Sequence, residues 1–259
     1  MQESGQDRAG VRAVERALDI LTTLGGQPQP LSGADVAARM KLHPATAHRL
    51  LGTLVNLGWV EQDPESARYR LGNNLIAVGA TGLVRSPLMQ HGREFLRRAA
   101  EVSGYSAYLG VRVGARVVYL ARSLGAHGMP TYEFEPGTSR PAHAQAAGKV
   151  LLAYLLPAER DFVLAGSEML PFTPDTIVER EHLEAELEAV RRQAWATDRG
   201  ERFDFMHGGA VPVHGPDGRV VASLMCYGRM NLTPEFEAML KQELTMLAGE
   251  LSSRLGRVD

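Results

Sequence analysis

Apolar positions recur at helical steps over residues 11–24, where Val14, Leu18, Leu21 and Leu24 form one stripe. Gly25-Gly26 ends that segment, and the polar Gln27-Pro28-Gln29-Pro30 follows. Ser32 offers an N-cap, with Asp35 in the position usually held by Glu or Gln in a capping box. The next helix, 33–40, is expected to bury Val36, Ala37 and Met40. Lys41-Leu42 then reads as a tight turn. His43-Pro44 opens a further helix, because proline at the first helical position gives up an N–H that has no intrahelical partner. That helix is expected over 44–57 with Leu50, Leu51, Leu54 and Leu57 inward, and Gly58 stops it. Two short strands, 59–62 and 68–71, flank the turn Asp63–Ala67. Three helices and a small hairpin in about 60 residues predict a winged helix-turn-helix.

The pattern beyond residue 72 is different. Residues 73–85 read as a weak helix interrupted by Gly79 and Gly82, a pliable linker. A clean helix over 87–102 places Leu88, Phe95, Leu96, Ala99 and Val102 inward. Strands 106–113 and 116–122 form a hairpin around Gly114-Ala115, and strands 210–213 and 220–227 form another across Gly215-Pro216-Asp217-Gly218. Between them, 141–155 opens with small residues and becomes an apolar helix, and 181–193 is amphipathic through Leu183, Leu187 and Val190. Thr233-Pro234 caps a last helix with Phe236, Leu240, Leu244, Leu247 and Leu251 inward. Hairpins separated by helices predict an α+β fold with an antiparallel sheet flanked by helices, GAF/PAS-like. The expected domains are 11–72 and 87–257, joined by the linker 73–86.

Composition adds bounds to this picture. A chain of 259 residues is long for one core, so two domains are expected. The lone Cys226 cannot form an internal disulfide, which suits a reducing compartment. No apolar run approaches the ~20 residues that span a bilayer, and the polar N-terminus shows no signal-peptide core, so a cytoplasmic protein with no membrane partner is expected. The net charge of −2 lends no support to nucleic-acid binding, and basic and acidic residues balance over residues 1–75. Any case for DNA must rest on where the bases sit.

A recognition helix places its N-terminal residues near base edges in the major groove. Here those are His43, Ala45, Thr46, Ala47, His48 and Arg49. Ala45 and Thr46 allow close approach, and Thr46 suits a phosphate or a thymine methyl. Arg49 suits guanine or phosphate. Arg68 and Arg70 flank Tyr69 and share one strand face, fit for backbone or minor-groove contacts. Arg8 and Arg12 would form an arm. The competing reading is a helix-turn-helix used for protein contacts, with His48 and Arg49 as plain solvated surface.

For the larger domain, catalysis finds little support. Neither a Gly-x-Ser-x-Gly elbow nor a His-Glu-x-x-His pair is present. Cys226 on an apolar strand reads as a packed small hydrophobe. His207-Gly208-Gly209 precedes a strand and makes a poor phosphate loop, and His127, His143, His207 and His214 lack metal-ligand spacing. No enzyme, cofactor or metal is expected. Ligand binding reads better. Ala146-Ala147-Gly148 opens a helix with minimal side chains, so its N–H groups could hold a carboxylate, although close helix–sheet packing asks for the same small residues. Tyr108, Tyr132, Met225 and Tyr227 favour a flat or apolar ligand, or else form core.

The stretch VERALDILTTL…PLSGADVAARMKLHPATAHRLLGTLVNLGWVEQDPESARYRLG resembles the DNA-binding domain of the IclR family of transcription regulators. GARVVYLAR, PAHAQAAGKVLLAYL, AVPVHGPDGRVVASL and LTPE extend the resemblance over roughly residues 11–256. Lys41 stands where the family often has glycine. The resemblance implies a homodimer or a pair of dimers on a palindromic double-stranded operator, with half-sites about 34 Å or a multiple apart. It also implies an effector pocket lined at Ala147 and Gly148, with Asp198 as an acidic pocket residue. Gly208 stands where many relatives carry cysteine, and Met225 and Tyr227 where binders of small oxoacids carry serine. The expected effector is thus a small organic acid, aromatic or otherwise partly apolar.

Overall fold

The computed structural model describes residues 11–27, 29–128 and 134–256. The chain divides into two units, Met1–Val84 and Arg85–Asp259. In the first, α1 (Arg12–Gly25), α2 (Gly33–Arg39) and α3 (Pro44–Asn56) precede a hairpin of β1 (Val60–Gln62) and β2 (Tyr69–Leu71), and α4 (Asn73–Arg85) follows. The capping box at Ser32 is complete. Ser32 Oγ accepts from the Asp35 N–H at 3.1 Å, and Asp35 Oδ2 accepts from the Ser32 N–H at 3.1 Å. The Ser32 hydroxyl, which donates to Asp35 Oδ2 at 2.7 Å, and then the Ser32 N–H hold the Asp35 carboxyl below its usual range. His43 caps α3, its Nδ1 accepting from the Ala45 N–H at 3.3 Å. Between the two helices Lys41 takes φ +50°, the left-handed conformation that glycine adopts without strain.

Ile20, Leu24, Val36, Leu51, Leu54, Val60 and Tyr69 make the core of this unit. Three expectations about facing are corrected here. On α1 the buried line runs through Ile20 and Leu24 while Val14 and Leu18 are exposed, because α1 carries two overlapping apolar stripes and packing on α3 and β2 selects one. Leu57 is the exposed C-cap of α3, past the last turn that touches the core. In the second unit Val102 is exposed. None of the α4 residues is buried.

The second unit begins with α5 (Pro87–Ser103) and the hairpin β3 (Ser106–Val113) and β4 (Arg116–Ser123). There follow β5 (Ser139–Pro141), a 3-10 turn (Ala142–Ala144), α6 (Ala146–Ala153), α7 (Pro157–Ala165), α8 (Arg180–Gln193) and β6 (Ala196–Arg199). The long hairpin β7 (His207–His214) and β8 (Val220–Gly228), and α9 (Pro234–Leu255), complete it. The strands form one antiparallel sheet in the order β5-β4-β3-β8-β7-β6.

The period of two along each strand sorts side chains to two cores. Ala107, Leu109, Val211, Val213, Leu224 and Cys226 pack against α5 and α9. Tyr108, Tyr119, Ala210, Met225 and Tyr227 face the opposite way and join the apolar residues of α6 and α8. The α+β architecture expected from the sequence is therefore a sheet with a helical layer on each face. β6, β5 and α7 add to the expected elements: the strands hold only three or four residues, and α7 buries Leu164 alone. Among the described residues no helix is long and apolar enough to cross a membrane.

Candidate functional site

At the start of α3, Ala45, His48 and Arg49 are exposed, Thr46 is half-buried, and Ala47 turns into the core. His43 is exposed too, with its ring held by the cap. Arg12, His48 and Arg49 form no ion pair among the described residues, so their polar groups face solvent. Arg68, which precedes β2 rather than opening it as expected, and Arg70 on β2 are exposed but engaged. Arg68 Nη1 donates to the Pro30 carbonyl at 3.0 Å and lies 4.0 Å from Asp35. Arg70 bonds Glu61 through Nε at 3.0 Å and Nη2 at 2.9 Å. The surface thus presents one free arginine on the helix and two oriented ones on the hairpin.

The expected effector residues lie in the second unit. Tyr132 falls outside the described residues, as does Arg8 of the expected arm in the first unit. Tyr108, Ala147, Gly148, Asp198, Gly208, Met225 and Tyr227 are all buried on the α6/α8 side of the sheet. Sheet register explains part of this gathering. Asp198, Gly208, Tyr227 and Ser106 occupy one rank across β6, β7, β8 and β3. A Cβ on Gly208 would stand 2.6 Å from the Tyr227 ring and 2.3 Å from the Cys226 carbonyl. Glycine at this point lets the Tyr227 ring lie across β7 toward Asp198.

Four of these buried side chains hold polar atoms with no hydrogen-bond partner: Ser106 Oγ, Gln145 Nε2, Asp198 Oδ2 and Tyr227 Oη. Asp198 Oδ2 and the Tyr227 hydroxyl lie close together without a bond of standard geometry. Tyr119 donates its hydroxyl to Gln145 Oε1. Such atoms cost free energy when left unpaired in a dry interior, so Gln145 Nε2 beside Tyr119 and Asp198 Oδ2 beside Tyr227 mark a place for a polar ligand or water, while Ser106 stands three strands away from Asp198. The N-terminus of α6 adds donors. Its first intrahelical bond is Lys149 N–H to the Gln145 carbonyl at 3.0 Å, and no side chain caps it, so the N–H groups of Ala146, Ala147 and Gly148 precede the ladder. Gly148 also serves packing, since a Cβ there would meet the Ala142 carbonyl at 2.1 Å.

A buried charge cluster supports this polar end. Lys149 Nζ bonds Glu201 at 2.6 Å and Glu186 at 3.0 Å. Asp198 Oδ1 accepts from the Glu201 N–H at 2.8 Å. Burial, then the Glu201 charge, pushes the Asp198 carboxyl up to about 7. Burial also raises Glu201, against the pull of Lys149. Burial works to lower Lys149, but the Glu201 and Glu186 carboxylates outweigh it and hold the ammonium up. Burial keeps the Tyr119 and Tyr227 phenols protonated. Cys226 lies on the other face, fully buried, and burial pushes its thiol up to about 12, an unreactive state.

Sequence reasoning missed Ser106, Tyr119, Phe134 and Gln145. The signal for Ser106 was its alternation with Tyr108 on β3. Gln145 was visible as the residue before the small-residue helix start. Nothing local pointed to Phe134. Among the described residues no group of three His, Cys, Asp or Glu side chains is placed to hold a metal ion. A cleft of about 840 Å³ opens elsewhere, lined among others by Arg116, His143 and Phe162, away from the polar cluster.

Comparison with known proteins bears on both units. The model of the IclR helix-turn-helix domain matches residues 13–64, and that of the bacterial transcriptional regulator IclR C-terminal domain matches residues 80–253. The chain is 33% identical over 247 residues to the HTH-type transcriptional regulator XynR of Escherichia coli (strain K12), covering 95% of this chain and 98% of that one. It is 32% identical over 223 residues to the HTH-type transcriptional regulator BhcR of Paracoccus denitrificans (strain Pd 1222), covering 86% and 79%. The crystal structure of an IclR transcriptional regulator from Silicibacter sp. TM1040 superposes with a TM-score of 0.84 at 27% identity, covering 95% of this chain and 97% of that one.

Proposed function

The chain belongs to the IclR family of transcription regulators, and on that premise we propose that it holds a palindromic operator through α3 and the β1–β2 hairpin and answers to a small aromatic or partly apolar carboxylate. DNA binding by the helix-turn-helix unit and effector binding by the C-terminal unit follow from the family. The operator symmetry and the effector class are our reading of this chain. Arg49, with Thr46 and His48, faces the base edges, Arg68 and Arg70 contact backbone from the hairpin, and Arg12 reaches a neighbouring phosphate. The protein acts as a homodimer or a pair of dimers, so that paired α3 helices meet paired half-sites.

The observation that carries the effector assignment is the gathering of Gln145, Asp198 and Tyr227, each with a buried polar atom lacking a bond of standard geometry, beside Tyr119 and among aromatic side chains, with Gln145 standing at the N-cap of α6. The N–H groups and the helix dipole suit an anion. Asp198, which burial pushes up to about 7, is protonated in a large share of molecules at neutral pH and donates to that anion. The rings of Tyr108 and Tyr227, beside Met225, suit the flat apolar part of the ligand. Binding alters operator occupancy only by favouring one arrangement of the oligomer, and α4, with Gly79 and Gly82, is the pliable element through which that preference acts.

A thermal-shift screen of the full-length protein tests this reading. Benzoate-like acids are expected to raise the unfolding midpoint, and two- or three-carbon oxoacids to leave it unmoved. Stabilisation by the short acids alone would refute the aromatic assignment. A gel shift on the DNA upstream of the protein's own coding sequence tests the operator half, and Arg49→Ala should weaken a shift that wild type gives.

A further inference from the structure

We infer that Phe134 is an internal stand-in for the effector: its ring fills the aromatic compartment of the site, and a ligand enters by taking that ring's place. This inference rests on the effector site assigned above. Phe134 is fully buried, and it is the only buried residue described between Arg122 and Pro141. Its ring is driven into the core among the apolar residues of α6 and α8. Four rings from four different parts of the fold enclose it. Its centroid lies 5.0 Å from Tyr227, 5.3 Å from Tyr119, 5.5 Å from Tyr108 and 6.3 Å from Phe203. The tilted and edge-on contacts are those by which aromatic rings attract one another.

The polar chemistry lies at the end of the same rings. Tyr119 carries its hydroxyl to Gln145, and Tyr227 brings its own close to Asp198 without a bond of standard geometry. A phenylalanine ring satisfies the apolar walls and leaves Gln145 Nε2, Asp198 Oδ2 and the Tyr227 hydroxyl unpaired. A benzenoid acid of the same ring size satisfies the walls and supplies the missing acceptor. The ligand is therefore the better occupant of a place the protein already fills, and Phe134 sets both the ring size admitted and the concentration needed.

The backbone behind Phe134 is anchored to the residue that senses the exchange. Gly137 donates to the Tyr119 carbonyl at 2.7 Å, and Tyr119 donates to the Thr138 carbonyl at 3.1 Å. Withdrawal of the Phe134 ring pulls on these two bonds and so on β4, the strand that bears Tyr119.

The test uses the full-length protein with benzoate as probe. Dissociation constants are measured by calorimetry for wild type, Phe134→Ala and Phe134→Leu, with hydrogen exchange followed at the Gly137 and Tyr119 amides. Removing a competing occupant raises the fraction of binding-competent sites, so Phe134→Ala should bind on the order of tenfold tighter, with Phe134→Leu between. Benzoate should speed exchange at the two amides in wild type. Equal or weaker binding by both variants, or protection of the two amides, overturns the inference and makes Phe134 a fixed wall. If benzoate binds none of the three proteins, the carboxylate reading fails by itself. Toluene then decides the exchange: stabilisation of Phe134→Ala or Phe134→Leu but not of wild type supports it, and no stabilisation of either variant overturns it.

Discussion

The two units carry their polar chemistry in opposite ways. In the helix-turn-helix unit the basic groups stand in water on a core of apolar side chains, and their partners are few: Arg70 with Glu61, Arg68 with Pro30 and Asp35. In the effector unit Lys149, Asp198 and Glu201 lie inside, bonded to one another across α6, β6 and the segment after it. The first arrangement waits for an external partner that supplies charge at long range. The second is poised at short range, where each added or removed bond counts for more because no water replaces it.

The largest test of this contrast is Lys149→Met. It leaves Glu201 buried without its cation, and the full-length protein should lose about 3–5 kcal/mol in chemical denaturation. A loss under about 1 kcal/mol, the range of exposed pairs, would show that water reaches the cluster and would erase the contrast.

Next comes pH. The Asp198 carboxyl is raised from an ordinary 3.8 to about 7 in the folded protein. Its contribution to stability is therefore whole below about pH 4 and drains away as pH climbs through about 7. Asp198→Asn, which keeps an acceptor for the Glu201 N–H, should flatten the fall in unfolding midpoint between those limits. An unchanged slope would assign the titration to another group.

A smaller effect is expected at the DNA surface. Arg49→Ala should weaken operator binding by about 1–3 kcal/mol while leaving thermal stability intact, as suits a side chain with no internal partner. Arg70→Ala should cost less affinity, since Glu61 already offsets its charge. Equal losses would mean that the hairpin pair opens on DNA. The smallest change is Lys41→Gly. It relieves the left-handed backbone between α2 and α3 and should raise stability by about 1 kcal/mol, read as a higher unfolding midpoint of the first unit.

What could be read before folding follows the same division. The Ser32 cap, the proline start of α3 and the spacing of Leu51 and Leu54 are contacts among neighbours in the chain, and the pattern exposed them. So were both long hairpins and the stripes of α8 and α9, because each element repeats its apolar period several times. The face of α1 was not legible, since Val14–Leu18 and Ile20–Leu24 are equally good stripes until α3 chooses. Nor were β6 and α7, too short or too little buried to leave a pattern. Resemblance to a family supplied Asp198 as an acidic pocket residue, but not its buried, unpartnered oxygen.

The amino-acid order alone decided which segments coil, which extend, where they stop, and that basic groups crown one short helix. Folding alone decided that Phe134, Gln145, Asp198 and Tyr227 gather around Tyr119. Helix and strand periods are set by bonds a few residues long, whereas the state of a buried polar atom depends on whatever distant segment is pressed against it.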